Sequence, residues 1–355
     1  MNNQINLEKK VRAIEVQSDR SISDLLKIME NTGFQGKNLA RVVTVFENMA
    51  RDPNIAILFG YAGSLSTTGQ WKIINWLLEN NLIDILVPTG ANISEDIVEA
   101  MGGAYIQSTP NSPDEQLFQK GYNRYYDVIG SEKEYMDMTE LIAEFIQILN
   151  KKHNYSSREF LYLFGLWLSD KGIESIVSVA AKNNVPIFCP AFPDSAYGDA
   201  ALIANAKGFS LTIDSIKDYK EFMSLAEHVV DTGVVYIGGG VPKDWIQLIS
   251  VTADLLYESR KVPNRKGGKN RENTGDIESY YPHKYAIQIT TDSPQWGGLS
   301  GCTFEEAVSW GKEDPHGELI QCYCDASIAL PIVSQALAER LATFKRKPKK
   351  LNSIF

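Results

Sequence analysis

The sequence has few of the residues that build metal centres or disulfide frameworks. Its 355 residues include four cysteines and four histidines. Cys322 and Cys324 are spaced C-x-C and would face the same side of a strand, whereas zinc sites usually combine C-x₂₋₄-C pairs with further ligands. We therefore expect no metal site and reduced thiols, which fits a cytoplasmic protein.

Long apolar runs and an excess of positive charge are also missing. No apolar stretch reaches the length of a membrane-spanning helix, and the first ten residues lack the apolar core of a signal peptide. The formal net charge is −9 and the pI is about 5.1. This balance disfavours a nucleic-acid-binding surface and is compatible with cationic substrates such as amines. We expect neither a nucleic-acid partner nor a membrane partner.

What the sequence contains instead is an alternation of short apolar runs and helical patterns. The first 50 residues have a mostly helical pattern and are interpreted as an N-terminal helical extension of a single domain over 51–355. Predicted strands lie at 55–59, 83–87, 185–190, 209–214, 233–237, 285–290 and 319–324. Predicted helices lie at 135–149, 160–168, 173–181 and 328–341, with another beginning at Pro242. Apolar strands separated by helices are typical of an α/β fold with a mostly parallel sheet flanked by helices.

Small residues follow several of the predicted strands. Residues 60–69 form a hydroxyl-rich turn, 88–92 end the second strand, and three glycines stand at 238–240. Small residues at strand ends let backbone N–H groups approach a phosphate, often at a helix N-terminus. The strict G-x-G-x-x-G pattern is absent, so a dinucleotide site and plain tight turns both fit these segments.

Two stretches carry candidate reactive or ligand-binding side chains. Asp194 and Asp199 follow the strand predicted at 185–190, where they could bind a ligand or cap a turn. Lys312 directly follows Trp310 and a glycine, with Glu306 six residues upstream. An amine that is desolvated beside an aromatic ring can act as a nucleophile, but the same pattern fits a surface lysine lying over a tryptophan.

Two basic or polar segments are predicted to be solvated. Residues 260–276 are rich in polar residues and glycine and lack interleaved aromatics, which favours a loop over a nucleic-acid-binding patch. Residues 344–350 contain five basic side chains and are predicted to form a solvated tail.

Several of these motifs together, in this order, resemble the deoxyhypusine synthase family over roughly residues 55–337. The matching segments are 60–69, 89–91 with Glu95 and Asp96, 190–191 with Asp194, 198–199, 238–240, 300–301, 306–312 and 325–327. The resemblance implies a Rossmann-like fold, NAD as cofactor and a homotetramer whose active sites are shared between paired subunits. It also implies a polyamine substrate and a protein lysine as a candidate acceptor of the transferred group.

The resemblance also implies roles for individual residues. Lys312 matches the lysine that forms an imine with the aminobutyl group of spermidine, and Trp310 matches the aromatic wall of that site. Glu95, Asp199 and Glu306 match acids around the polyamine. The positions that match the NAD-binding residues are Gly63, Ser64, Leu65, Ser66, Thr67, Thr89, Gly90, Ala91, Glu95, Asp194, Gly239, Thr291, Asp325 and Ala326.

Three positions depart from the family pattern. Asp244 stands where the family has a histidine, Leu299 replaces an acid that holds the polyamine, and Ser94 replaces the first of an acid pair. Asp244 is therefore a further candidate substrate-binding residue, and the variant is most like the bacterial deoxyhypusine synthase-like group. Four activities fit: transfer to a protein lysine, homospermidine synthase-like transfer to a small amine, a simple dehydrogenase whose imine hydrolyses, and an inactive relative that binds NAD or polyamine.

Overall fold

The computed structural model of the chain describes residues 9–265, 268–269 and 280–355. The helices are α1 Ile22–Met29, α2 Phe34–Arg51, α3 Trp71–Glu79, α4 Asp96–Ala100, α5 Asp114–Gln119, α6 Glu132–Ile148, α7 Ser157–Asp170, α8 Ile176–Lys182, α9 Ala196–Ala206, α10 Ser215–Ser224, α11 Gly240–Thr252, α12 Phe304–Ser309 and α13 Ala326–Arg340. The strands are β1 Ile55–Tyr61, β2 Ile85–Pro88, β3 Ile106–Gln107, β4 Tyr122–Tyr125, β5 Val128–Ser131, β6 Asn154–Tyr155, β7 Thr212–Ile213, β8 Asp231–Ile237, β9 His283–Thr290 and β10 Glu313–Tyr323.

A five-stranded parallel sheet organises these elements. Its strand order is β10-β9-β8-β1-β2, and every neighbouring pair is parallel. All seven residues of β1 are buried, because the sheet is covered on both faces, as continuous apolar strands require. The predicted α/β fold with a mostly parallel sheet flanked by helices is confirmed.

Successive side chains of the strands enter two separate hydrophobic clusters. In β1, Ile57 and Phe59 join the cluster that contains α2, α7, α8 and α13, whereas Ala56 and Leu58 join the one that contains α10 and α11. This alternation follows from the two-residue period of a strand. Within the described part of the chain, no helix has both the length and the apolar character that a membrane crossing needs.

The N-terminal segment is partly helical and packs into the main core. Residues 9–21 form no helix, whereas α1 and α2 cover most of residues 22–50, as the mostly helical pattern predicts. The helix α1 begins after Ser21, whose hydroxyl accepts a hydrogen bond from the Asp24 N–H. Helix α2 crosses the proposed boundary at residue 50 and places Val42, Val43 and Phe46 in the same cluster as the sheet. A separate N-terminal unit stays a prediction.

Two predicted strands are shorter than expected. Residues 185–190 form only one parallel bridge, from Leu86 to Ile187, beside β2. Prolines at 186 and 190 lack the N–H that a regular ladder needs. The segment predicted at 209–214 pairs over only two residues, β7, with β6, away from the main sheet.

The C-terminal basic segment is anchored to the core, so the prediction of a solvated tail was wrong. The guanidinium of Arg346 is buried and donates to both carboxylate oxygens of Asp84, at 2.9 and 2.7 Å. It also donates to the carbonyls of Ile55 and Asn81. The density of basic residues predicted that the segment is solvated. Arg346 is buried instead, because it pairs with the buried Asp84 carboxylate. Of the loop predicted at 260–276, residues 266–267 and 270–276 lie outside the described residues.

Candidate active site

A cavity of about 880 Å³ opens at the carboxyl ends of β1, β8, β9 and β10. This is where open parallel sheets bind ligands. Its lining is mostly backbone and small side chains, from residues 62–65, 68, 125–127, 238–240, 289–292, 300 and 324–327.

Glycines shape one wall of this cavity. Gly238 and Gly240 have φ values of +71° and +61°, in the left-handed region that favours glycine. A Cβ on Gly239 would lie 2.3 Å from Ser300 Cα, so the two loops could not pack as they do with a larger residue. Helix α11 begins at Gly240, which directs its free N–H groups towards the cavity. The combination suits a bound phosphate.

Asn92 fixes the loop that forms the opposite wall. Its side chain is buried, accepts from the Leu65 N–H at 3.1 Å and donates to the Gly63 carbonyl and to the Thr89 hydroxyl. The Ser66 hydroxyl donates to the Asn92 carbonyl at 2.6 Å. These bonds explain why the hydroxyl-rich turn after β1 has one defined shape.

A buried lysine supports the loop at 299–302. The ammonium of Lys243 donates to the Gln288 amide oxygen at 3.0 Å and to the carbonyls of Leu299 and Cys302, at 3.2 and 2.7 Å. Burial lowers the pKa of Lys243. All three donors of the ammonium are used, so this lysine holds the loop rather than a ligand, and Leu299 contributes its backbone to that role.

The second lysine of the region, Lys312, has a different environment. Its Nζ lies 3.0 Å from Asp244 Oδ1, 3.3 Å from Gln247 Oε1 and 5.6 Å from the centre of the Trp310 ring. The Lys312 side chain is 12% exposed and that of Asp244 is 42% exposed. Gly311 allows this close packing, because its φ is +80° and a Cβ there would lie 2.8 Å from the Tyr280 ring. The amine is therefore sheltered, with a carboxylate and an aromatic wall beside it.

Glu95 and Asp199 form a separate group whose other members are tyrosines. The Tyr125 hydroxyl donates to Glu95 Oε1 at 3.3 Å, and the Tyr135 hydroxyl donates to Asp199 Oδ2 at 3.2 Å. Burial raises the pKa of Glu95 to about 7, opposed by the Tyr125 hydrogen bond. The second Glu95 oxygen is buried without a hydrogen-bond partner among the described residues. This group offers negative charge and carries no lysine or arginine bonded to either acid in the described chain.

The predicted site residues do not form one cluster in this chain. Lys312 forms no hydrogen bond or ion pair with Glu95 or Asp199 within the described chain, and Glu306 lies exposed on α12. Of the residues matched to NAD binding, the ones that line the cavity are Gly63, Ser64, Leu65, Gly239, Thr291, Asp325 and Ala326. The ones outside its lining are Ser66, Thr67, Thr89, Gly90, Ala91, Glu95 and Asp194.

Sequence reasoning did not single out several side chains of these groups. Gln247 stands three residues after Asp244 on α11. This spacing places both side chains on one helix face, so the sequence could have predicted that Gln247 lies beside Asp244. Tyr125 and its neighbours reach the cavity from the small antiparallel sheet β3-β5-β4. No local sequence pattern in that segment predicts that it lies beside the cavity at the end of β1. Within the described residues, no group of histidine, cysteine or acidic side chains is arranged to hold a metal ion.

The fold is that of an α/β protein with a cavity at the carboxyl edge of a parallel sheet. The deoxyhypusine synthase family profile matches residues 24–337, and the chain belongs to that family. A relative from Methanosarcina mazei, named probable deoxyhypusine synthase 2, is 43% identical over 92% of this chain and 90% of its own. A deoxyhypusine synthase-like protein from Coxiella burnetii is 34% identical over 93% of this chain and 90% of its own.

A solved structure shares the fold. The crystal structure of a protein described as a putative deoxyhypusine synthase from Entamoeba histolytica superposes with a TM-score of 0.61. The alignment covers 96% of this chain and 99% of that chain at 18% sequence identity. At this identity the similarity establishes the architecture.

Proposed function

We propose that this protein is an NAD-dependent, deoxyhypusine synthase-like transferase. It moves an aminobutyl group, or a related aminoalkyl group, from spermidine or a similar polyamine to an acceptor amine through an imine on Lys312. The observation that carries the proposal is the sheltered Lys312 amine, held between the Asp244 carboxylate and the Trp310 ring. Family membership supports the reaction class.

The cavity at the sheet edge fits the cofactor. The glycine loop at 238–240 and the N-terminus of α11 would hold its phosphates, and the loop at 63–65 would cover the opposite side. Thr291 and Asp325 supply polar side chains to the lining. When bound, NAD would supply a reversible hydride acceptor for the carbon next to the secondary amine of the polyamine.

Lys312 then performs the exchange of carbon–nitrogen bonds. Its Nζ must lose a proton before it can attack, and Asp244 Oδ1, 3.0 Å away, is placed to accept one. The amine adds to the oxidised carbon; the bond from that carbon to the departing diamine breaks as the bond to Nζ forms. An acceptor amine then adds to the same carbon, and Lys312 leaves as the free amine. The hydride taken from that carbon would return to it, which gives a stable secondary amine and leaves the cofactor unchanged overall. The Trp310 ring lies beside the amine but is 59% exposed in this chain, so a bound substrate or the partner subunit would complete the exclusion of water, which would hydrolyse the imine.

Glu95 and Asp199 serve as the cation-binding half of the site. Both acids lack a lysine or arginine partner in the described chain, so the ammonium groups of a polyamine would neutralise them. Because Lys312 forms no hydrogen bond or ion pair with them among the described residues, we propose that the two halves meet across the interface of a homotetramer. We also propose that the protein is located in the cytoplasm.

The proposal admits a protein lysine or a small amine as acceptor. Asp244, at a family histidine position, pairs with Lys312 and changes the charge beside the nucleophile. A homospermidine synthase-like reaction would use a diamine as acceptor. An inactive relative would bind NAD or polyamine without releasing a diamine, and a simple dehydrogenase would accumulate NADH.

The decisive experiment is chemical trapping of the imine. The protein is incubated with NAD and labelled spermidine, reduced with borohydride, digested and analysed by mass spectrometry. An aminobutyl adduct on Lys312 is expected, and its absence with a panel of polyamines would contradict the proposal. A Lys284→Arg variant is the matched control, because Lys284 pairs with Asp52 away from this site. Unreduced samples with a panel of amines identify the acceptor from the products.

A further inference from the structure

A chain of hydrogen bonds connects Lys312 with a buried carboxylate. The Lys312 ammonium donates to Gln247 Oε1 at 3.3 Å, and Gln247 Nε2 donates to Glu313 Oε1 at 2.8 Å. An ammonium can only donate and a carboxylate can only accept. The Gln247 amide therefore has one orientation that satisfies both neighbours, with its oxygen towards Lys312.

Glu313 is an unusual residue for the first position of a strand. It is fully buried, and its second carboxylate oxygen has no hydrogen-bond partner among the described residues. Burying a carboxylate that is only partly satisfied destabilises a fold. A glutamine would keep the acceptor for Gln247 without burying a charge, although its amide N–H groups would also need partners, so the bond from Gln247 does not by itself account for the acid.

The charged and titratable groups around Glu313 come from five elements. They are Lys312, Lys243 and Asp244 on α11, Tyr236 on β8, His283 on β9 and Cys302 before α12. Burial lowers the pKa of His283 to about 3, so this neighbour is neutral. Burial raises the pKa of Glu313 to about 7, while Gln247 and the two lysines oppose the rise. Two lysines thus face two carboxylates, Asp244 and Glu313.

We propose that Glu313, acting through the Gln247 amide, is a positioning residue for the Lys312 amine. It fixes the amide oxygen towards Nζ and supplies the buried negative charge that favours the cationic forms of Lys312. Those forms are the resting ammonium and, under the proposed function on which this inference rests, the protonated imine. Asp244 remains the more exposed carboxylate, which accepts and returns the proton.

The test measures the titration of Lys312 directly and needs no substrate. The folded protein is labelled with a trace of acetic anhydride between pH 6 and pH 11, and mass spectrometry gives the extent of labelling at Lys312. Glu313→Gln keeps the hydrogen-bond acceptor but removes the charge, so the ammonium loses stabilisation. We expect the Lys312 midpoint to fall by roughly half a pH unit.

Two further variants make the result specific. Gln247→Met removes the bridge and should lower the midpoint in the same direction. Glu318→Gln, on the same strand but partly exposed and bonded to Asn48, should leave the midpoint unchanged. Far-ultraviolet circular dichroism checks that each variant is folded. Wild-type midpoints in both Glu313→Gln and Gln247→Met would overturn the inference.

Imine trapping with spermidine and NAD distinguishes this inference from the proposed function. If the wild type forms the adduct, Glu313→Gln should shift the acidic limb of adduct formation to lower pH, as the labelling does. If the wild type forms no adduct, the proposed function fails while the labelling result still decides the role of Glu313.

Discussion

The two acid-containing groups near the cavity differ in whether they carry their own cation. Asp244 is paired with Lys312, and Gln247 links the same lysine with Glu313. Among the described residues, the carboxylates of Glu95 and Asp199 accept side-chain hydrogen bonds from the hydroxyls of Tyr125 and Tyr135 and from no cation. Neutral donors stabilise a carboxylate less than a cation does. Burial raises the pKa of Glu95 to about 7, as it does for Glu313, but only Glu313 has lysines nearby that oppose the rise.

This difference suggests a division of roles. The Lys312 group already contains a cation, paired with Asp244, and this cation is also the proposed nucleophile. The Glu95 group is incomplete and gains stability when a cation enters. Under the proposed function, an ammonium group of the polyamine would supply that cation. Substitution of each acid or of its partner distinguishes acids that need a ligand from acids that have a resident partner.

The largest expected effect follows from replacing the nucleophile. Lys312→Arg keeps a positive charge beside Asp244 but cannot form an imine at neutral pH, because guanidinium stays protonated. We expect release of diaminopropane to fall at least about a thousandfold. NAD binding, measured by calorimetry, should be retained within about threefold, since Lys312 does not line the cavity.

The control for this prediction is Lys284→Arg, which should keep full turnover. Turnover of Lys312→Arg at the wild-type rate would show that the lysine has only an electrostatic role. The Lys312 group would then differ from the Glu95 group in its charge but would not contain a nucleophile.

A structural ion pair provides the contrasting case of an acid with a permanent partner. Arg346→Gln leaves Asp84 buried without its cation, and we expect a loss of about 3–5 kcal/mol of stability. Urea denaturation measures the loss. Lys347→Gln, at an exposed position of the same segment, is the matched control and should change stability little. Polyamine affinity should be unchanged in folded Arg346→Gln; a stability equal to wild type would contradict the assignment.

Asp96, the buried acid next to Glu95, has a structural role, in contrast to the ligand-binding role proposed for Glu95. Asp96 is fully buried, and its Oδ2 accepts from the Ile176 N–H at 2.6 Å. Burial raises the pKa of Asp96 from 3.8 to about 7. The folded protein therefore retains a proton that the unfolded chain loses above pH 4, so stability falls as pH rises from about 4 through 7.

Asp96→Asn removes this pH dependence. Between pH 5 and pH 8 the wild type should lose on the order of 2–3 kcal/mol more stability than Asp96→Asn does. Denaturation curves at both pH values measure the difference, and Glu115→Gln on the exposed face of α5 is the control. Parallel pH profiles of Asp96→Asn and wild type would indicate that Asp96 is already charged in the folded protein.

The sequence was most informative where local pattern determines structure. Apolar runs predicted β1 and β8, because the packing of a parallel sheet leaves few alternatives, and the alternation of apolar and polar residues predicted β9. The order Trp310, Gly311, Lys312 predicted an aromatic wall beside the amine. Gln247 was not singled out, although its spacing from Asp244 was visible. No local pattern could show that Arg346 meets Asp84, because that contact joins positions 262 residues apart.

The smallest expected effect, and the most specific test of the comparison, concerns Glu95. Glu95→Gln keeps an acceptor for the Tyr125 hydroxyl but removes the charge, so one ammonium of the polyamine loses its partner. We expect KM for the polyamine to rise about tenfold to thirtyfold, measured by diamine release. Glu115→Gln should leave KM unchanged.

The pH dependence of KM distinguishes lost charge from altered packing at Glu95. With a pKa of about 7, the wild-type carboxylate becomes protonated as pH falls from 8 to 6, so polyamine affinity should weaken over that interval. In Glu95→Gln this contribution is absent, and the profile should be flatter. A variant with a raised KM but a wild-type pH profile would mean that Glu95 shapes the site without binding the cation. The Glu95 group would then not require a cation from the ligand, and it would differ from the Lys312 group in shape only.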